Sequence, residues 1–433
     1  MPRIWSTELA EHAGETVELA GWMLRLRRLS NISFLVLRDG RGTAQVVLED
    51  DAQIERLAAL QAESVLAVRG LAVAAPQAPG GVEVREADID VVQSALEPPP
   101  FDLFRPAIRA QLPTILDHAA VSLRQPRRRA YARLAAAAAA GFRETLDAEG
   151  FVEIHTPKLV EAATEGGANV FPVDYFGRPA YLAQSPQFYK QIMVGVFERV
   201  YEVGPVFRAE PHDTPRHLNE YVSLDAELGF VRDHTTVMAL LGRVVAGMLK
   251  TVQRQAQHEL ALLNLDLPSV LTEIPAIEFV EAQALIARET GEDPRGEPDL
   301  APAHERFLGE WAQRGYGSHF LYVTGYPMAK RPFYTHAQPE RPAFSNSFDL
   351  LFRGLEIATG GQRLHRYEDY LHALQGRGLD PAPFGAYLEA FKHGMPPHGG
   401  FGMGLERWVA RLAGVQNVRD VTLFPRDINR LSP

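Results

Sequence analysis

The sequence predicts an α+β chain: an N-terminal OB-fold β-barrel followed by a larger domain whose antiparallel sheet is flanked by helices. Three observations carry this. Five short strand-like stretches precede residue 100, with one helical stretch between the third and fourth. Prolines at 98–100, 106 and 113 then interrupt regular structure. Beyond them strands and helices mix without the βαβ alternation that a parallel sheet would require. A length of 433 residues accommodates two or three domains at about 150 residues each.

The strand stretches are 17–23, 34–39, 44–48, 64–73 and 82–92, with turns at 40–42 and 78–81 and a helix over 51–63. The domain reading is therefore a barrel at 1–100, a hinge or linker at 101–128, and a large domain at 129–433. The large domain opens with a helix from Tyr131 to Ala148, in which six consecutive alanines favour helix and close helix contact. Residues 232–320 read as a helical insertion.

Composition narrows the function classes. Cysteine is absent, which excludes disulfides, thiolate metal sites and a cysteine nucleophile. No apolar signal core opens the chain, and no run approaches the ~18 uninterrupted apolar residues of a membrane span, so a cytoplasmic enzyme is expected. The net charge of -10 argues against a general nucleic-acid binder, but it is an average. Residues 101–143 alone carry eight arginines and two aspartates. That segment reads either as a solvated helix face with its linker or as a hinge touching a phosphate backbone.

Three constellations carry chemistry. In the first, Arg208 and Glu210 end one strand-like run, and Asp225 and Glu227 lie in a second that begins at Tyr221. A charged loop with His212, Arg216 and His217 joins them. Such charges sit on strands only when they meet partners, although a hairpin with a solvated tip would also account for them. The second is GGFGMGLERW at 399–408. Its spacing fails the dinucleotide fingerprint, since Leu405 stands where a third glycine is needed. Alternate glycines before a helix suggest either a bare backbone surface for a flat ring such as adenine, or simply a flexible turn. The third is the stretch 151–157, FVEIHTP, after the alanine helix.

In this order the three resemble motifs 2, 3 and 1 of the class II aminoacyl-tRNA synthetases, and the barrel is similar to that of the aspartate, asparagine and lysine subgroup. The strings YLAQSPQFYKQ at 181–191, RPFY at 331–334 and GGQRLH at 360–365 resemble the aspartyl enzymes, in their compact archaeal-type form. Too few residues separate the second and third motifs to hold the extra domain of the usual bacterial form. The resemblance implies a class II synthetase catalytic domain, ATP as substrate and Mg2+ as cofactor. It also implies L-aspartate and tRNA as partners, and a homodimer through the region near Pro157. In such chemistry the substrate carboxylate is the nucleophile, so no serine triad or cysteine is required.

By that resemblance Arg208 and Arg407 hold ATP phosphates. Glu210 receives the adenine amino group, Tyr221 stacks on the ring, and His217, Leu218, Glu356 and Gly404 complete the ATP site. Asp349, Glu356 and Thr359 match the metal site, Thr359 standing where close relatives often carry serine; hard oxygen donors suit magnesium. Lys190 and Arg363 match the residues that hold the aspartate side chain, and Glu165, Gln187 and Asp225 surround its ammonium end. Glu165 lies in the TEGGA loop at 164–168, whose glycines suit a closing hinge. Asparagine would leave the two cations unpaired, a cost of about 1–3 kcal/mol or more.

On the barrel, Arg27, Phe34, Gln45 and Glu83 match anticodon-reading positions; an aromatic face stacks a base and polar groups read its edge. Phe34 is equally readable as a core residue. Discriminating archaeal relatives carry bulky Trp and cationic Lys where this chain has Leu24 and Pro79. The expectation is a non-discriminating enzyme charging both tRNA(Asp) and tRNA(Asn), with a tRNA-dependent amidotransferase acting downstream. Ser30 and Asn31 replace the usual glycines of the nearby loop. The alternatives are a strictly discriminating aspartyl enzyme, an asparagine synthetase on the same catalytic fold, and a non-catalytic RNA-binding paralogue. The N-terminal barrel argues against the second, and the presence of Arg208 and Arg407 against the third.

Overall fold

The computed structural model describes residues 3–29, 32–161 and 169–432. Ser30, Asn31 and the 164–168 loop with Glu165 lie outside the described residues. The chain divides into two compact units, 1–126 and 127–433.

The first unit is a closed five-stranded barrel. Its strands are β1 (Thr16–Arg28), β2 (Ser33–Arg38), β3 (Thr43–Leu48), β4 (Val65–Ala74) and β5 (Val82–Gln93), in the order β1-β2-β3-β5-β4. Helix α1 (Asp51–Ala58) joins β3 to β4 and is capped by Asp50, which accepts the Ala52 N–H. Alternation decides what is inside: Leu19, Leu35, Val46, Leu66, Val68 and Val84 point inward and form the core. Residues 101–126 are not a bare linker. They hold two short helices, α2 (Leu112–Asp117) and α3 (Ala119–Ser122), and fold with the barrel unit. The long helix α4 (Pro126–Ala148) begins five residues before the sequence reading, because Pro126 suits a first helical turn.

The second unit is built on an eight-stranded sheet. It takes β6 (Val152–Glu153), β10 (Arg199–Phe207), β11 (Glu220–Gly229), β12 (Ala276–Glu278), β13 (Phe320–Thr324), β14 (Ser347–Phe352), β15 (Leu355–Gln362) and β16 (His398–Gly404). Their order is β12-β13-β14-β15-β16-β11-β10-β6. The interior is antiparallel, but both edge pairs, β12 with β13 and β10 with β6, are parallel. A parallel neighbour needs a long crossover, and each edge has one. Helix α5 (Gln187–Phe197) lies between β6 and β10 in sequence; α8 (Phe279–Thr290) and α9 (Pro302–Tyr316) lie between β12 and β13. A small second sheet joins β7 (Leu159–Val160), β8 (Pro172–Tyr175) and β9 (Arg178–Leu182).

One face of the large sheet is sealed by α4, α6 (His234–Gln255) and α12 (Leu405–Ala413), with Phe142, Val244, Met248, Leu224, Phe401 and Trp408 in one cluster. Helix α6 is long and apolar enough to cross a membrane by length and composition, yet half of it is buried in this core. The region 232–320 is thus not one insertion. Helix α6 belongs to the main core, with α7 (Gln257–Leu263) after it, whereas α8 and α9 form a separate cluster over β12 and β13. Helices α10 (Tyr367–Gln375) and α11 (Gly385–Lys392) pack with α5 around Tyr370 and Tyr387.

Candidate active site

The sheet's other face carries the polar residues, and register explains why they converge. Along β11, Leu224, Ala226 and Leu228 enter the core, so Tyr221, Ser223, Asp225 and Glu227 turn the opposite way. On β16, Gly404, Gly402 and Gly400 lie opposite Ser223, Asp225 and Glu227. On β15, Thr359 lies opposite Gly402 and also opposite Asp349 of β14. Glu356 and Thr359 are three apart, which would place them on opposite faces of a regular strand. A register shift between Leu350 and Leu351 removes that conflict, and Thr359 Oγ1 donates to Glu356 Oε1 at 3.2 Å. These strands floor a cavity of roughly 310 Å3 whose walls include Gln187, Lys190, Arg208, Glu210, His217 and Arg407.

One end of the cavity is a buried ion cluster. Lys190, on α5, is 1 % exposed. Its ammonium donates to Asp225 Oδ1 at 2.9 Å and the Phe401 carbonyl at 3.0 Å, and lies 3.3 Å from Glu227 Oε2. Arg363 donates from Nε to Glu227 Oε1 at 2.9 Å and from Nη2 to the Gly400 carbonyl at 3.0 Å. Burial pushes the Glu227 carboxyl up, but Arg363 and Lys190 outweigh it and hold it below the usual range. Ser223 Oγ donates to Asp225 Oδ2 at 2.5 Å. Two expectations change here. Two anions already pair the two cations, so asparagine would not leave them without partners. The glycines at 399 and 400 do not bare a ligand surface either. A Cβ on Gly400 would lie 2.2 Å from Glu227 Oε2, and one on Gly399 2.9 Å from the Val237 side chain, so both make room for protein. Only Gly404 suits a ring, since it lies open between Tyr221 and the stem of Arg407. Gln187 is buried at the start of α5 and lines the same end.

The other end is looser. Strands β10 and β11 form the expected hairpin, and Asn219 Nδ2 donates to the Arg208 carbonyl at 2.6 Å, closing its base. Arg419, buried beyond α12, donates to Asp213 at 2.8 Å and to the Thr214 carbonyl at 3.1 Å, so the loop is clamped from the C-terminal side. Arg208 lies 3.8 Å from Glu210 and 5.7 Å from the Tyr221 ring centroid. His217 Nε2 is 3.6 Å from Glu210, and Nδ1 is 2.5 Å from the Thr214 hydroxyl. Burial, and then the Arg407 guanidinium, lower the His217 imidazole against the pull of Glu210, and this lowering favours its neutral form. Leu218 is buried in the wall, and Arg407 lies 3.9 Å from Glu356 Oε1.

Asp349 is buried behind Glu356, with Arg331 Nη2 donating to it at 2.9 Å. Burial pushes its carboxyl up to about 6, against the pull of Arg331 and with the push of Glu356. Among the described residues no three His, Asp or Glu side chains gather as a metal cage. Two crowded carboxylates with a hydroxyl nonetheless fit a magnesium ion that completes its shell with phosphate and water.

Sequence reasoning noted Arg216 and Glu227 among the charges of the hairpin but gave no site role to them, nor to Arg331, Glu305 and Glu406. Arg331 sits inside the RPFY string, and Glu227 alternates with Asp225, so both had a local signal. Glu406 accepts the Val222 N–H at 3.1 Å, and burial pushes its carboxyl up to about 7.

In the barrel unit, Arg27 lies opposite Phe34 and Gln45 opposite Val36, so Arg27, Phe34 and Gln45 share the outer face. Phe34 is half-buried there, not in the core. Gln45 donates to Glu83 at 3.0 Å, and Arg85 holds the same carboxylate at 2.8 Å. Leu24 is buried at a register shift between Met23 and Arg25, beside Ala62 and Phe101, apart from that face. Pro79 is exposed in a short turn with Gly80 and Gly81. The arginines of 101–143 are largely engaged. Arg105 pairs with Asp102 at 3.1 Å, Arg124 with Glu63 at 3.0 Å, and Arg143 with Glu153 at 3.0 Å, while Arg128 is buried 3.8 Å from Asp420.

Comparison with known proteins gives the family. Residues 111–428 match the family of tRNA synthetases class II (D, K and N), and residues 17–92 match the OB-fold nucleic acid binding domain. The chain is 48% identical over 431 residues to an aspartate--tRNA(Asp/Asn) ligase of Thermus thermophilus, covering 100% of both. It is 45% identical to one of Deinococcus radiodurans, over 100% of this chain and 99% of that protein. Among solved structures it is similar to asparaginyl-tRNA synthetase from Pyrococcus horikoshii complexed with asparaginyl-adenylate, with a TM-score of 0.92, 30% identity and 100% of both chains covered.

Proposed function

The chain belongs to the class II tRNA synthetases of the D, K and N group, and from that premise we propose that it charges both tRNA(Asp) and tRNA(Asn) with aspartate. The observation that carries the aspartate reading is the buried Lys190–Asp225–Glu227–Arg363 cluster at one end of a cavity whose other end holds Arg208 and Arg407. Lys190 already has three acceptors, so an entering side chain must displace one, and Glu227 at 3.3 Å is the longest contact. A carboxylate can compete with Glu227 for that ammonium; a neutral carboxamide is a weaker acceptor. Asp225 and Gln187 are the candidates for the ammonium end of the substrate, joined by Glu165 on the family resemblance alone.

In the first step an α-carboxylate oxygen of aspartate attacks the α-phosphorus of ATP, the α–β P–O bond breaks, and pyrophosphate leaves. Arg208 stabilises charge on the α-phosphate, and Arg407 holds the distal phosphates. Tyr221 and the open Gly404 backbone receive the adenine ring, Glu210 its amino group, and Leu218 closes the wall. Neutral His217 offers a hydrogen bond beside the phosphates without adding charge. A magnesium ion bound by Asp349, Glu356 and Thr359 would neutralise phosphate charge. In the second step a 3′-terminal tRNA hydroxyl attacks the adenylate carbonyl and AMP leaves.

Arg27, Phe34, Gln45 and Glu83 read the anticodon, and Leu24 and Pro79 leave its third base loosely read. Aspartate on tRNA(Asn) requires conversion before translation, so a tRNA-dependent amidotransferase is the expected partner in the cytoplasm. The homodimer reading is supported by exposed Val152, Leu159, Val196 and Phe197 around the edge strand β6. The test is ATP–pyrophosphate exchange followed by charging of purified tRNAs. Exchange should require aspartate, and tRNA(Asn) should accept it. Equal exchange with asparagine would overturn the aspartate reading, and an active enzyme that leaves tRNA(Asn) uncharged would overturn the relaxed specificity.

A further inference from the structure

We propose that Glu305, on α9, is a positioning residue that sets the phosphate-facing end of the cavity. It lies in the first turn of a helix whose other buried residues include Leu308 and Ala312, and it is itself 4 % exposed. A carboxylate is retained in such a place only when both oxygens are matched. They are matched by two different walls of the cavity: Oε1 accepts from Arg216 Nη1 at 3.1 Å, and Oε2 accepts the Glu356 backbone N–H at 3.0 Å. Both of those residues also accept from Arg407. Its Nε donates to the Arg216 carbonyl at 3.3 Å and its Nη1 to the Glu356 carbonyl at 3.5 Å. One side chain therefore ties together the hairpin loop, the start of β15 and, through their carbonyls, the arginine of α12.

The helix bearing Glu305 is seated without slack. A Cβ on Gly309 would lie 2.4 Å from the Gly354 nitrogen, and one on Gly354 would lie 2.7 Å from the Arg306 Cα. Gly354 also has φ +71°, which favours glycine. Backbone therefore touches backbone where α9 meets the β14–β15 turn, and Glu305 extends from that fixed point. Arg216 is thereby held at the cavity wall before any phosphate arrives, which lowers the cost of ordering it on binding.

This inference rests on the reading that ATP phosphates occupy this end. The experiment compares the full-length chain with Glu305→Gln, and with Glu310→Gln as a control on the exposed side of α9. Two quantities are read: the Michaelis constants for ATP and aspartate in exchange, and the ATP concentration that half-saturates thermal stabilisation without aspartate. Glu305→Gln should raise the ATP constant and the half-saturating concentration together by about tenfold, with aspartate's constant within about twofold. The control should match the parent. Parallel loss for ATP and aspartate, or an unchanged ATP response in the variant, overturns the positioning role. A parent chain with neither exchange nor ATP-dependent stabilisation would instead overturn the functional reading beneath it.

Discussion

The two ends of the cavity are built to different standards. At the end proposed for the amino acid, Lys190, Asp225 and Glu227 are at most 3 % exposed at their side chains, and their shortest ion contacts are 2.9 Å. At the end proposed for the nucleotide, Arg208 and Arg407 are 40 % and 28 % exposed, and their carboxylate contacts lengthen to 3.8 and 3.9 Å. The first end is organised before substrate arrives. At the second, Arg216 is fixed by Glu305, but Arg208 and Arg407 meet their carboxylates at longer range, so a polyphosphate can compete for those two. Selecting one small amino acid demands rigid, desolvated groups; accepting and releasing pyrophosphate demands groups that can let go.

The largest expected effect is at the rigid end. Lys190→Leu should lower aspartate-dependent exchange by about 10³-fold or more. It also removes the cation paired with buried Asp225, while Glu227 keeps Arg363; a buried anion that loses its partner costs about 3–5 kcal/mol, so thermal melting should fall as well. A variant that melts like the parent would show that the cluster is less tightly built than its geometry implies. The next effect belongs to the loose end. Arg407→Gln should cost about 10²-fold in kcat/KM for ATP while leaving the melting temperature nearly unchanged, because a part-exposed pair held at long range adds little stability. A large melting shift would erase the contrast between the ends.

The smallest effect concerns Glu406, which lines the loose end. Its folded carboxyl is raised to about 7 from an ordinary 4.5. The protonated form is the stable one in the fold, so its contribution is complete below about 4.5 and is lost as pH rises through 7. Glu406→Gln should therefore gain about 1 kcal/mol relative to the parent at pH 8, after allowance for partial solvent screening, and little at pH 4. Thermal melts of both proteins at the two pH values decide it; a gain that does not grow with pH would refute the assignment.

Much of this contrast was legible in the sequence. Arg208, Glu210, Asp225 and Glu227 on two strands separated by a polar loop announced partners before any were seen. Family likeness then supplied Lys190 and Arg363. Local pattern could not supply pairings across long separations. Glu305 reaches Arg216 across 89 positions, and Arg363 reaches Glu227 across 136. The glycines at 399 and 400 misled for the same reason, because a missing side chain does not say whether ligand or protein fills the space. Nor did a basic run disclose that Arg128 and Arg143 already face acidic partners. The fold alone would not have chosen between aspartate and asparagine either, since an asparaginyl enzyme superposes at a TM-score of 0.92.

The irregularity in β15 has an evolutionary consequence. Side-chain direction along a strand is a matter of phase, and the register shift beside Leu351 adds one count between Glu356 and Thr359. Everything downstream inherits that count, and Thr359 and Arg363 line the cavity because of it. Deleting a single residue there would invert the phase and turn both away from the cavity, however well each was preserved. Between 356 and 363 the chain can drift in letters but not in length.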